Sequence, residues 1–301
     1  MKFLLTSAVY LGSVVAACAI VNVFNPQGNT TAPTGADGQP DDPGFAYVGQ
    51  VNGSTGVYLG NGWVLTADHV GAGTFNLGGT NYGFNGTDSH QIGGVDLRLF
   101  RLSSDPGLPL LTIASTPNLL PISEVVQIGA GRTPDLLPTT WFVDTTDPAD
   151  WIWSETTFPD ADTTHIGYKT SSTKAVRWGT NTLSGYGLIS YSSYAPSPAY
   201  ETTFDSVGTT YESQAVTNDS GSALFIETIS GWQLAGLTVT VGLFNNQPNG
   251  AQTAIFGNTT ASLDLAPHLA EINGYVIPEP GTYALLIGIA VLGLVTYRRR
   301  R

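Results

Sequence analysis

The sequence predicts an all-β fold of barrel or sandwich type closed by a single helix. Three observations carry that expectation. Short β-type runs (Gly56–Gly60, Trp63–Thr66, Leu97–Leu102, Val125–Ile128, Leu188–Tyr191, Ala223–Ile226 and Leu234–Val241) are separated by Gly, Asn, Asp, Ser and Pro. Helical periodicity between them is scarce. The exception is Leu263–Ile272, which sets Leu265, Leu269 and Ile272 on one helical face before Asn273-Gly274, a C-terminal stop.

In chain order, Lys2 followed by the apolar run Phe3–Ala17 has the charged start and short greasy core of a secretory signal spanning 1–19. Ala17 and Ala19 fit an A-x-A site with cleavage after Ala19. Val15-Ala-Ala-Cys18 also resembles a lipobox, which would put a lipid on Cys18. Residues 20–44, rich in Gly, Pro, Asp and Thr, are expected to form a flexible linker because they hold too little apolar surface to order themselves. The body, 45–275, is long enough for one large β domain or two packed halves. Within it, Asn61-Gly62 between two apolar runs is a two-residue hairpin signal. Residues 135–165 scatter Trp141, Trp151 and Trp153 among Asp, Thr and Pro without a period, and read as a surface insertion, either over a substrate groove or simply a decorated hairpin.

The net charge is −12, and four of the eleven basic residues are the terminal Arg298–Arg301, so the body is more acidic still. With no basic patch, nucleic acid is excluded as a partner. The only cysteine is Cys18, so the body has no disulfide and no thiolate metal site. No cofactor is expected. His90, His165 and His268 read as structural or solvated, without metal-ligand spacing.

Amide hydrolysis needs a nucleophile, a base, a group that orients the base, and donors for the oxyanion. His69 follows the hairpin at the end of Trp63-Val-Leu-Thr-Ala-Asp-His69, where a strand can hold a base in a fixed rotamer. Asp96 heads the alternating run Val95–Leu102 and can accept from the second imidazole nitrogen. Ser220 lies in Thr217-Asn-Asp-Ser-Gly-Ser222, a turn of small residues before an apolar strand, where backbone N–H groups can converge on an oxyanion.

These segments resemble the trypsin-like serine proteases. W-V-L-T-A-D-H is similar to their W-V-L-T-A-A-H, V-D-L-R-L-F-R-L to their D-I-A-L-L-R-L, and N-D-S-G-S-A-L-F to their G-D-S-G-G-P-L. Gly231-Trp-Gln-Leu-Ala-Gly236 resembles their G-x-W-x-L-x-G strand, and the closing helix fits as well. Four matches in the order His, Asp, Ser, strand cover about 45–275. The resemblance implies two six-stranded β-barrels with the site between them, and a protein or peptide substrate. It implies His69 as general base and acid, Asp96 as its orienter and Ser220 as nucleophile. The N–H groups of Asn218 and Ser220 would form the oxyanion hole. Gln214, six before the serine, would be the neutral floor of the specificity pocket, and Asp219 matches the acid that pairs with a newly freed N-terminus. Three positions depart from the pattern. Asn218 and Ser222 replace glycines, and Asp68 beside the histidine is unusual. No activation sequence follows the linker.

The tail, 276–301, joins Pro278-Glu279-Pro280 to the apolar run Ala284–Thr296 and then to the basic cluster. Those three parts in order resemble the PEP-CTERM sorting signal of Gram-negative bacteria. The resemblance implies an exosortase-type partner that recognises Pro278, Glu279 and Pro280, a transient C-terminal transmembrane helix, and delivery to the cell envelope or extracellular matrix.

Overall fold

A computed structural model describes residues 20–117 and 124–277. The signal segment with Cys18, Pro278-Glu279-Pro280, and the apolar and basic tail lie outside the described residues. After a short strand β1 (Val21–Asn22), the first half contains β2 (Val48–Val51), β3 (Ser54–Gly60), β4 (Trp63–Thr66), β5 (Phe75–Leu77), β6 (Thr80–Tyr82), β7 (Phe84–Gln91) and β8 (Arg98–Leu102). The turn between β3 and β4 bears out the hairpin signal, with Asn61 at φ 51° and Gly62 at φ 80°.

The second half contains β9 (Glu124–Gly129), β10 (Arg132–Pro134), β11 (Thr139–Asp144), β12 (Ile152–Ser154), β13 (Thr163–Lys174), β14 (Arg177–Ile189) and β15 (Ser197–Thr203). It continues with β16 (Ser213–Gln214), β17 (Ala223–Thr228), β18 (Gly231–Gly242), β19 (Thr253–Ile255), β20 (Thr259–Asp264) and the helix α1 (Leu269–Val276). Six of these strands close a barrel in the order β14-β15-β20-β18-β17-β9. The all-β class with a closing helix is therefore present.

The first half is an antiparallel sheet in the order β6-β5-β2-β3-β4-β8-β7. Its edge strands β6 and β7 are joined by Gly83 alone, so the bent run from Thr80 to Gln91 pairs with β5 at one end and with β8 at the other, and Tyr82 and Phe84 pack on one apolar cluster. β7 breaks register against β8 between Phe84 and Ser89, around Gly86 at φ 86°. Both halves nevertheless share one apolar core. Val57, Leu65 and Leu99 from the first pack in the same cluster as Val126, Ile128, Leu237 and Leu263 from the second, with Ile272 of α1. Each buried side chain of this kind contributes about 1.5–3 kcal/mol, so neither half is an independent unit.

Two expectations are corrected, for residues 20–44 and for the start of the closing helix. Residues 20–44 are not a free linker. Ile20, Val21 and Asn22 have no exposed surface, β1 pairs with β16 (Val21↔Gln214, Asn22↔Ser213), and the Trp178 indole donates to the Thr31 carbonyl at 2.9 Å. The segment is too polar to order itself, so it borrows partners for its backbone from the body. Residues 135–165, read as a surface insertion or a decorated hairpin, form the β11–β12 hairpin and the start of β13, in a sheet with β10 and β19. Trp141 is buried there beside Trp153, and Phe244 lies against Trp151 and His165. The closing helix starts later than its apolar spacing suggests, because 259–264 pair with both β15 and β18. Pro267 sits in the short turn just before α1, where a missing N–H costs nothing. Among the described residues, no helix is long and apolar enough to cross a membrane.

Candidate active site

His69 leaves β4 on a tight turn in which the N–H groups of Val70 and Gly71 donate to the Ala67 carbonyl. Asp96 lies in the turn before β8, with glycines at positive φ, Gly93 at 58° and Gly94 at 67°. That turn points a carboxylate with no exposed surface back at the histidine. The His69 N–H donates to Asp96 Oδ1 at 2.9 Å, and His69 Nδ1 lies 2.6 Å from Asp96 Oδ2. With Nδ1 as donor, Nε2 is left to accept, and it lies 2.7 Å from Ser220 Oγ. The structure therefore brings His69 and Asp96 of the first half together with Ser220 of the second.

Burial pushes the Asp96 carboxyl up. The hydrogen bond and charge of the His69 ring, the Tyr191 hydroxyl and the His69 N–H outweigh it and hold the group below the ordinary carboxylate value. The electrostatics thus keep a charge on Asp96, where it can steady an imidazolium.

The Ser220 turn is fixed by backbone bonds to both halves. Thr55 N–H donates to the Ser220 carbonyl at 3.0 Å, Gly221 N–H to Thr238 O at 2.8 Å, and Thr238 N–H to Ser222 O at 2.9 Å. Gly221 is required twice over: its φ is +88°, and a Cβ there would sit 2.1 Å from the Thr55 carbonyl oxygen. Asn218 takes the same left-handed region at φ 87°, one of the few non-glycine residues suited to it. Its carbonyl accepts from Thr55 Oγ1 at 3.2 Å, and Thr55 Oγ1 in turn accepts from Ala130 N–H at 2.9 Å. Ser222 spends its hydroxyl on the Asp219 carbonyl at 2.6 Å. Ser220 has no exposed surface, whereas the His69 side chain is 24% exposed.

The other singled-out residues fall as follows. Gln214 is buried in β16, its amide nitrogen 3.5 Å from Thr259 O and its Oε1 without a hydrogen-bond partner. Asp219 is fully buried, and burial pushes the group well above its ordinary value, against the lowering effect of the Ser222 hydroxyl, the backbone of Val216 and Gly131 and the Arg177 charge. Asp68 is ion-paired to Arg98 at 2.6 Å. His90 stacks on Tyr275 at 4.2 Å, His165 sits among Trp151, Trp153 and Phe244, and His268 lies 3.2 Å from Ser197 Oγ. Sequence reasoning missed Thr55, Tyr191 and Tyr194, which carry no motif and reach the site only through the folding of distant strands.

Residues 276–301 match the family model of the PEP-CTERM protein-sorting motif. The chain carries that sorting signal. No curated protein matches it. Among solved structures, it is similar to the inactive form of Rv3671c from M. tuberculosis, at 16% identity over 78% of this chain and 90% of that one, TM-score 0.44. It is similar to neuropsin, a serine protease expressed in the limbic system of mouse brain, at 12% identity over 77% and 94%, TM-score 0.43. A third likeness is to the HtrA-type protease AlgW with a decapeptide, at 15% identity over 73% and 50%, TM-score 0.41.

Proposed function

We propose that the chain is an exported serine endopeptidase in which His69, Asp96 and Ser220 act as a triad. One observation carries the reading: a single imidazole bridges a buried carboxylate at 2.6 Å and a serine hydroxyl at 2.7 Å. In the reaction, His69 Nε2 takes the Ser220 proton as Oγ attacks the scissile carbonyl, and Asp96 steadies the imidazolium. The oxyanion is received by the N–H groups of Asn218 and Ser220. The tetrahedral adduct collapses to an acyl-enzyme as His69 gives its proton to the leaving amine, and a water molecule repeats the sequence. A neutral Gln214 at the pocket floor disfavours Lys and Arg in the substrate residue before the cut.

Maturation is part of the same proposal. Signal cleavage after Ala19 leaves Ile20 as the first residue. Ile20 is already buried, and Val21 shares an apolar cluster with Val216, whose carbonyl accepts from Asp219 N–H at 3.2 Å. A free Ile20 ammonium would supply the cation that the Asp219 carboxylate lacks, so export itself would complete the site. The sorting motif would then bring an exosortase-type enzyme to Pro278, Glu279 and Pro280, with transient anchoring by the tail before release at the bacterial surface.

Burial of Ser220 favours a second reading, a protease-like binding module with a silent triad. Labelling by a fluorophosphonate, with Ser220→Ala as control, separates the two. Covalent labelling of the mature protein, lost in the variant, is expected. A wild type that stays unlabelled under conditions that label an active serine protease leaves only the binding module.

A further inference from the structure

Asp96 accepts a bond that the proposed reaction does not use. The Tyr191 hydroxyl donates to Asp96 Oδ2 at 2.5 Å, the oxygen that already faces His69 Nδ1. Tyr191 comes from the other half of the molecule, in the turn between β14 and β15. That turn is held against the first half at two further points. Ala195 N–H donates to Gly94 O at 3.1 Å, and the Tyr194 hydroxyl donates to Asp68 Oδ2 at 3.2 Å. Asp68 is itself paired with Arg98. The groups facing His69 and Asp96 are therefore Ser220, Tyr191, Tyr194 and Asp68, with Arg98 behind Asp68.

We infer that Tyr191 is a positioning residue for the His69–Asp96 pair, acting from the second half through its hydroxyl; this rests on the reading of His69, Asp96 and Ser220 as a triad. Two consequences follow from one shared oxygen. A second donor fixes the carboxylate plane, and so the rotamer of the imidazole that bonds to it. It also takes acceptor capacity from Oδ2 that would otherwise go to the imidazolium. Tyr191 serves as a donor only, because burial first, and then the Asp96 charge and hydrogen bond, push its hydroxyl up far beyond any working pH.

The test is Tyr191→Phe, which keeps the ring and removes the donor. The acid limb of the kcat/KM profile on a peptide substrate is expected to move to higher pH by about half to one unit, and plateau kcat to fall roughly tenfold with KM little changed. A merely structural ring predicts neither effect. A second measurement needs no activity: ring-nitrogen NMR titration of His69 in Ser220→Ala protein, with and without Tyr191→Phe. A midpoint that rises in the double variant supports the assignment. One that stays within about 0.2 pH units overturns it. If the wild type fails to label with a fluorophosphonate, the protease reading fails, and the titration still decides the role of Tyr191.

Discussion

A chain that begins at Ile20 and one that retains Ala19 differ by one small residue, yet their stabilities are expected to differ widely. Asp219 has no exposed surface, and no described lysine or arginine lies within ion-pair distance of it. The charge of Arg177 reaches it, but that guanidinium spends a bond on Thr133 Oγ1 and forms no pair. With Ala19 in place, the carboxyl either keeps a proton or stands as an uncompensated buried charge. Leaving one member of a buried pair alone costs about 3–5 kcal/mol. For a domain of this size, 1 kcal/mol moves Tm by roughly 2–4 °C, so the Ile20 chain should melt about 6–20 °C higher at pH 7. The assay is a thermal melt of both chains from pH 3 to 9, with the rate of fluorophosphonate labelling read in parallel.

The pH dependence fixes the cause. In the Ala19 chain the folded carboxyl is raised by burial, so its contribution is full below the ordinary value near ~3.9 and is lost as pH rises through the folded one. In the Ile20 chain a paired ammonium would depress the carboxyl. The stabilisation is then present above ~3.9 and lost as pH falls. The amine adds the opposite limb, present below its ordinary value near ~8 and lost as pH rises through its raised one. The gap in Tm should therefore be widest between about pH 5 and 8 and close toward pH 3. Asp219→Asn should abolish it. Equal Tm values at pH 7, or a gap that persists at pH 3, would refute the pairing.

Gly221→Ala should remove labelling and lower Tm, because the new Cβ meets the Thr55 carbonyl at 2.1 Å while φ stays at +88°; Gly231→Ala, in open space at φ 91°, is the matched control and should keep labelling. Asn218→Gly should retain or raise the labelling rate. Asn218→Val should cost about 1–2 kcal/mol in denaturant melts and reduce labelling, since a β-branched residue resists φ 87°.

The barrel and the His69-Asp96-Ser220 set were legible because each rests on local chemistry. Short apolar runs make strands, Asn61-Gly62 makes a hairpin, and each member of the set arrives in a run whose neighbours fix its own backbone. What was not legible depends on partners far along the chain. The segment 20–44 looks disordered by composition, yet Val21 needs Gln214, and Thr31 needs the indole of Trp178. Trp141, Trp151 and Trp153 show no period because one cluster gathers them with Phe244 from the segment after β18. The helix starts later than the spacing predicts because Leu263 suits a helix and a barrel strand equally, and only pairing with β15 and β18 decides. Tyr191 reads as the end of the β-type run Leu188–Tyr191, whereas β14 stops at Ile189 and leaves it in the following turn.

The polar groups that burial should penalise most gather where the two halves meet. Asp96, Asp219, Ser220, Ser222 and Thr55 are all buried there. A fold seeking stability alone would place apolar side chains at such positions, since an unsatisfied buried group costs about 1–3 kcal/mol. Instead the apolar core shared by the halves absorbs that cost, and the junction is tied by named polar bonds: Thr55 to Ser220 and Asn218, Tyr191 to Asp96, Tyr194 to Asp68. Each bond joins a residue of the first half to one of the second. Any slippage between the halves would therefore part the imidazole from the serine, even where it only loosened their shared core. On this argument, activity should be lost before global unfolding as denaturant rises, with the labelling rate falling ahead of the tryptophan fluorescence transition. Coincident transitions would show that the junction opens only when the shared core does.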